Sequence, residues 1–513
     1  MLHIFRLKYY LDNLYDLYRD YDKYSREDEY ILDLATRYIQ CRPENPEGLM
    51  TELKGRSFDS WLIKFCEKIA EQVKSTDARY LAADILGQRE QYRSAIKALK
   101  VNYDFDKCKE YPEQVARLLD YYLGAFGKYR DIELHKEGIK IFEECFKLIK
   151  KHKIRPDLSK HILINGTYLY SSLGLRKRTH AIYKYMIDNN YYLSPAELTN
   201  FSFCCWENKD WENFHKFHIC RCNKRGYDYF GLIYSGRPMW TGNEDISDKT
   251  LLVQFEQGLG DNILMFGYME RLTKLAKKVI FMCEPELAPL LKDNKWGIKI
   301  VPFEHLKFNK LRFDYWIESM SIPNALKLDT ESMRLGGGYI EANSKLVQKY
   351  KKKYFNNDNL KVGVAYRGHA NGQLSRQVNT EQLLELDNIE GISIYYLDMG
   401  IANACGNKFK NNKPINIVKD TAKSFADTAA IIENCDIILS TDNGLLNLAG
   451  AMGKRTLGLF NTDYHFRWYD LNKKDCSYYD SVRPFVNKEL DNWDKTISDA
   501  IGEIKKYVRR KQR

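Results

Sequence analysis

Nowhere in this chain of 513 residues does an uninterrupted apolar run reach the roughly 18 to 20 residues that a membrane-spanning helix requires. The first 24 residues, "MLHIFRLKYYLDNLYDLYRDYDKY", alternate charges with aromatics and lack the unbroken apolar core of a secretory signal. A place in the cytoplasm is therefore expected. Disulfide spacing is missing as well: the 12 cysteines are scattered without a framework and read as small buried hydrophobes in a reducing compartment. Charge of one sign is not concentrated either. A formal charge of +11 without a basic stripe excludes a nucleic-acid footprint, while it fits an anionic small ligand or an acidic membrane surface. The runs "YKKKYF" (350 to 355) and "KKYVRRKQR" (505 to 513) read as solvated faces, the tail also being able to touch anionic lipid at the inner face of a membrane.

What is present is ample core material. Apolar residues make up 44% and aromatics 13%, and a chain of this length exceeds a single hydrophobic core, so two or three domains are expected. Up to about residue 240 helical periodicity dominates. The stretches 78 to 100, 161 to 187 and 196 to 219 each pair two apolar helices around a polar break, at roughly the 34-residue spacing of tetratricopeptide repeats. "QYRSAIKAL" (91 to 99) is the best instance, and residues 1 to 75 fit no unit. Stacked pairs would offer a surface for a protein partner; the alternative is a helical spacer. Within this half, "CCWENKDWENFHKFHICRC" gathers Cys204, Cys205, His215, His218, Cys220 and Cys222. A zinc site can be assembled from such residues, yet Cys-x-Cys is not the usual Cys-x2-Cys knuckle, and two packed helices with cysteines inside explain it equally.

From Lys249 the pattern changes. Strands are expected at 250–255, 278–283, 298–303, 315–319, 361–366, 393–398, 415–420, 435–441 and 455–460, with helices between most of them. Alternation of this kind implies parallel sheets covered by helices. A glycine turn, a charged helix and an Asn/Asp-rich loop at 334 to 362 separate two such blocks. The expected organisation is a helical repeat region over 1–240, Rossmann-like domains over 249–345 and 358–485, and a C-terminal helix and basic tail over 486–513.

Two turns carry chemistry. In "LLVQFEQGLGDNILMFGYM" (251 to 269), Gly258 and Gly260 precede a helix, but Ile263 stands where a dinucleotide turn needs its third glycine, which argues against a nicotinamide oxidoreductase. The turn does place Asp261 at the carboxyl edge of a strand, as a reactive carboxylate or as a helix cap. In "CDIILSTDNGLLNLAGAMGKRTLGLF" (435 to 460), the amides of Asn443, Gly444 and Leu445 stand at a helix N-terminus suited to a diphosphate. Asp442 in the same turn would repel phosphate and is better placed for sugar hydroxyls, or caps the helix.

"QGLGDNILMFGYM", "FADTAAIIENCDIILSTDNGLLNLAGAMGK" and "WDKTISDAIGEI" resemble the heptosyltransferase-like glycosyltransferases, in the form that carries N-terminal tetratricopeptide repeats. The resemblance covers about residues 200 to 505. It implies a GT-B fold of two Rossmann-like domains, a nucleotide-sugar donor on the second, an acceptor on the first, and metal-independent inverting transfer with no cofactor. By the same resemblance Asp261 matches the catalytic base, with Gly258, Gly260 and Asn262 on the acceptor-side turn. Asp442, Asn443, Gly444 and Leu445 match the donor turn. Asn447 stands where the family usually has histidine and cannot hold a proton's charge beside phosphates. Arg367 and Arg376, with His369 in the same loop, are the basic residues expected at the diphosphate, Arg376 lying nearest the family's position. The acceptor is a protein or a surface glycan, and a decayed, catalytically silent scaffold is the competing reading.

Overall fold

The computed structural model of the chain describes residues 63, 66–67, 76–100, 112–152, 156–223, 236–303, 311–366, 378, 380–398, 408–412, 414–417, 424–469, 471 and 476–512. Two compact units emerge, one of residues 1–172 with 181–191, the other of 173–180 with 192–513.

The first unit is helical wherever it is described, with helices Thr76–Gln88, Tyr92–Lys100, Pro112–Tyr129, Ile132–His152 and Pro156–Ser171. Each packs on the next in sequence or the next but one, because apolar residues recur on one face of each. Tyr92–Lys100 shows the rule: Ala95, Ile96, Ala98 and Leu99 are buried while its lysines are not. Residues 1 to 62, which the sequence reading left without a repeat, lie outside the described residues.

The second unit opens with helices Pro195–Asn208 and Trp211–Phe217 and a 3-10 turn His218–Asn223. Ser194 and Glu197 form a reciprocal capping pair at the first helix, with Pro195 at its first position, as the sequence "SPAE" dictates. Helices 195–223 thus group with the α/β part of the chain.

The α/β part holds two parallel sheets consistent with tandem Rossmann-like domains. The front sheet has the order β3-β2-β1-β4, from β1 Thr250–Gln254, β2 Lys278–Cys283, β3 Lys299–Pro302 and β4 Tyr315–Glu318. The rear sheet has the order β10-β9-β8-β5-β6-β7, from β5 Leu360–Ala365, β6 Ile392–Tyr396, β7 Ile415–Asn416, β8 Ile437–Thr441, β9 Thr456–Phe460 and β10 Val482–Val486. Strands β8 and β9 are buried at every residue, which is why they read in sequence as continuous apolar runs rather than alternating ones. Strand β10 was missed because Arg483 and Pro484 interrupt its apolar pattern. Its place at the sheet edge makes that proline tolerable.

The C-terminal helix runs over Asp494–Lys511. Its apolar residues Ile497, Ala500, Ile501, Ile504 and Val508 join the rear-sheet core with Val362, Val364, Leu457 and Leu459. Each large apolar side chain so buried contributes about 1.5–3 kcal/mol. Between the sheets, Gly336, Gly337 and Gly338 all have positive φ, and the amides of Leu335 and Gly336 donate to the Tyr478 carbonyl, both at 3.0 Å. Among the described residues no helix is long and apolar enough to cross a membrane.

Candidate functional site

The strand β1 and the strand β8 each end in a turn that starts a helix: Leu259–Phe266 after the first, Gly444–Ala451 after the second. These two helices pack directly on one another. Two glycines stand at this contact. A Cβ built on Gly260 would lie 3.1 Å from Gly444 Cα and 3.1 Å from Asn447 Nδ2. The two turns touch at this point, and a side chain at residue 260 would crowd the contact.

Asp261 does two things at once. Its Oδ2 accepts from the Gly258 amide at 3.1 Å, capping its own helix, while Oδ1 forms an ion pair with Arg467. The guanidinium is buried, and burial works against its charge. Asp261, followed by Asp442, more than offsets that cost, so the Arg467 pKa is raised. Arg467 Nε donates to His465 Nδ1 at 2.9 Å, and Tyr478 Oη donates to the Arg467 carbonyl at 2.9 Å. The sequence reading missed Arg467. Its signal was a lone arginine in the aromatic run "YHFRWY", whose ion-pair partner Asp261 is distant in sequence and met only in space.

Asn262 is a brace beside the acid. Its Nδ2 donates to the carbonyls of Glu256 and Gly258 and to Glu284 Oε1, each at 3.0 Å, and its Oδ1 accepts from Ser319 Oγ at 2.9 Å. Glu284 directly follows β2. Burial, with smaller contributions from Glu286 and Asp261, outweighs its hydrogen bonds and pushes its carboxyl up to about 7.

On the rear turn, Asn443 is the N-cap, its Oδ1 accepting from the amides of Leu445 at 2.9 Å and Leu446 at 3.0 Å. The Leu445 amide, expected in the diphosphate seat, is thus already engaged by the cap. Asn447 closes the same turn: Nδ2 donates to the Asn443 carbonyl at 3.1 Å, and Oδ1 accepts from Tyr479 Oη at 3.3 Å. Asp442 is buried beside this turn, near enough to act on the Arg467 charge. The structure therefore brings together Gly258, Gly260, Asp261, Asn262, Asp442, Asn443, Gly444, Leu445 and Asn447. Arg367, His369 and Arg376 lie outside the described residues.

The expectation of no metal, which came with the resemblance, is corrected. His180, Cys205 and Asp210 bring one ligand atom each within 4.8 Å of one another, a nitrogen, sulfur and oxygen set that can hold a metal ion. They are drawn together because Asp210 caps the helix Trp211–Phe217 and accepts from Asn213, while His180 Nε2 meets Asp210 Oδ2 at 2.8 Å. Of the cysteine and histidine cluster singled out in sequence, only Cys205 belongs to this group. His215 and His218 instead meet the backbone carbonyls of Leu328 and Met320. Burial, helped by Arg221, holds the His218 pKa well below the ordinary histidine value. The side chain of Cys222 lies outside the described residues.

No family model matches the chain. The protein FlbA of Caulobacter vibrioides is 22% identical over 294 residues, 52% of this chain and 48% of FlbA, so the match spans about half of that relative's length. Among solved structures, a family 9 glycosyl transferase from Veillonella parvula superposes with a TM-score of 0.39 at 13% identity, covering 52% of this chain and 92% of its own. The E. coli ADP-heptose LPS heptosyltransferase II gives 0.38 at 14% identity, over 52% of this chain and all (100%) of that one. The iron-containing dodecameric glycosyltransferase TibC of enterotoxigenic E. coli gives 0.33 at 12%, over 49% and 67%. All of these likenesses are distant.

Proposed function

We propose that the α/β part of this chain is a glycosyltransferase that moves a sugar from a nucleoside-diphosphate sugar to a hydroxyl acceptor, with inversion at the anomeric carbon. One observation carries the reading: a carboxylate at the end of β1 and a helix-starting turn at the end of β8 converge, at the carboxyl edges where open α/β sheets bind ligands. Glycines at 260 and 444 that permit backbone contact make sense if the two turns work on one substrate pair.

In this reading the acceptor oxygen attacks the anomeric carbon as Asp261 takes its proton. The bond from that carbon to the diphosphate breaks, and its electron pair leaves with the nucleoside diphosphate. A positioned base contributes typically about 10²–10⁴ in rate. Backbone amides of Asn443 and Gly444, at the positive end of a helix dipole, support the departing charge, and Asp442 accepts from sugar hydroxyls. Arg367 and Arg376 are the basic residues proposed to meet the diphosphate. Because the turns touch, donor entry requires the lobes to part around 334–360, where three successive glycines have positive φ. The helical region would recruit a protein or glycan acceptor.

The test is a thermal-shift screen of the full chain against a panel of nucleotide sugars. A donor at 100 times its dissociation constant stabilises by about 2.7 kcal/mol, a readily measured rise in Tm. Absence of a shift with every donor would remove the reading.

A further inference from the structure

The donor's diphosphate brings at least two negative charges to a turn that already carries Asp442. Asn447 is neutral, and both ends of its amide are committed to the Asn443 carbonyl and Tyr479 Oη. A cation beside both turns is at hand: Arg467 is ion-paired with Asp261 of the front turn and held charged in part by Asp442 of the rear.

Its placement is fixed from several sides. Phe466 stacks on Phe203 with ring centroids 4.1 Å apart, and Arg176 donates to the carbonyls of Thr462 at 2.9 Å and Tyr464 at 3.1 Å, pinning the loop on which Arg467 sits. His465 orients the guanidinium through Nε. Burying a cation this deeply is costly, and an apolar side chain of similar volume would serve packing at least as well. A planar fork of N–H donors, by contrast, matches a diphosphate oxygen pair.

Resting on the glycosyltransferase reading, we infer that Arg467 is the cation that receives the donor's diphosphate, and that in doing so it lets go of Asp261. Without donor the guanidinium holds the Asp261 carboxylate. When the diphosphate arrives it takes over those N–H donors, and Asp261 is left to face the acceptor hydroxyl. Donor therefore binds first, and the base becomes available only when there is a sugar to transfer.

Calorimetric titration of the full chain with UDP, ADP, GDP and inorganic pyrophosphate tests this. The wild type should bind pyrophosphate and at least one nucleoside diphosphate. Arg467→Met should weaken both by about tenfold or more, Arg467→Lys should recover part of the loss, and Asp261→Asn should bind both more tightly, because its competitor for the guanidinium has lost its charge. A merely structural role for Arg467 would not give opposite signs at the two partners. Should Arg467→Met fail to fold by circular dichroism, the double variant Asp261→Asn/Arg467→Met, in which residue 261 no longer carries a charge that needs the guanidinium, is compared with Asp261→Asn instead. Wild-type binding that Arg467→Met leaves unchanged, or that Asp261→Asn weakens, overturns the inference while leaving the glycosyltransferase reading standing. A wild type that binds none of the four ligands removes both.

Discussion

Gly260 and Gly444 meet with no side chain between them: a Cβ on Gly444 would lie 3.7 Å from the Gly260 nitrogen, and one on Gly260 would lie 3.1 Å from Gly444 Cα. The second distance is too tight for an ordinary contact, and the neighbour is backbone. Gly260→Ala should therefore force the two turns apart by a few tenths of an ångström and cost about 1–3 kcal/mol as an overpacking change. Gly444→Ala, with more room, should cost less. The midpoint of urea unfolding measures both, and equal midpoints for the two variants would contradict the stated packing.

Arg221 is buried with Glu256 and 3.6 Å from Glu318, so one guanidinium answers two carboxylates from the ends of β1 and β4. Arg221 also donates to Ser321 Oγ at 2.9 Å, which ties the helical segment 195–223 to the front sheet. Arg221→Met takes the guanidinium from both carboxylates and should destabilise this unit by about 3–5 kcal/mol. Chemical denaturation would show it. A change below about 1 kcal/mol would mean that the network contributes little.

Glu284 makes stability depend on pH in a definite direction. Its folded pKa of about 7 lies above the ordinary 4.5, so the folded state binds this proton more tightly than the unfolded state. The contribution is fully present below pH 4.5 and is lost as pH rises to about 7. Glu284→Gln, which fixes the neutral form, should flatten the pH dependence of the melting temperature across that window. An unchanged slope would place the proton elsewhere.

The grouping of His180, Cys205 and Asp210 can be examined directly. Zinc titrated into metal-free protein should raise the melting temperature by mass action, and Cys205→Ser and His180→Gln should each abolish the rise. If zinc produces no rise, the three side chains serve only the cap at Asp210 and its hydrogen bonds.

Much of this arrangement was legible in the sequence because it is written in local patterns. Strands such as "IILST" and "TLGLF" are buried on both faces and read as short β-rich runs, and the glycine turn before Asp261 announces itself by residue type alone. What depended on three dimensions was harder to read. Asp261 proved to cap its helix and at the same time to hold Arg467, far away in the chain, which no local pattern shows. Arg467 carries no motif. The Leu445 amide reads as open at a helix start until the rotamer of Asn443 is known, and that rotamer fills it. The metal grouping escaped because its histidine comes from a helix 25 positions before Cys205 (205 − 180 = 25), outside the run of cysteines that drew the eye.

The most direct test is the release of nucleoside diphosphate from each member of a nucleotide-sugar panel by wild type and by Asp261→Asn. The account predicts turnover of at least one donor by wild type and a loss of about 10²–10⁴ in rate in the variant, with nucleoside diphosphate binding retained. Turnover in Asp261→Asn equal to that of wild type, or none by wild type with any donor, would contradict it.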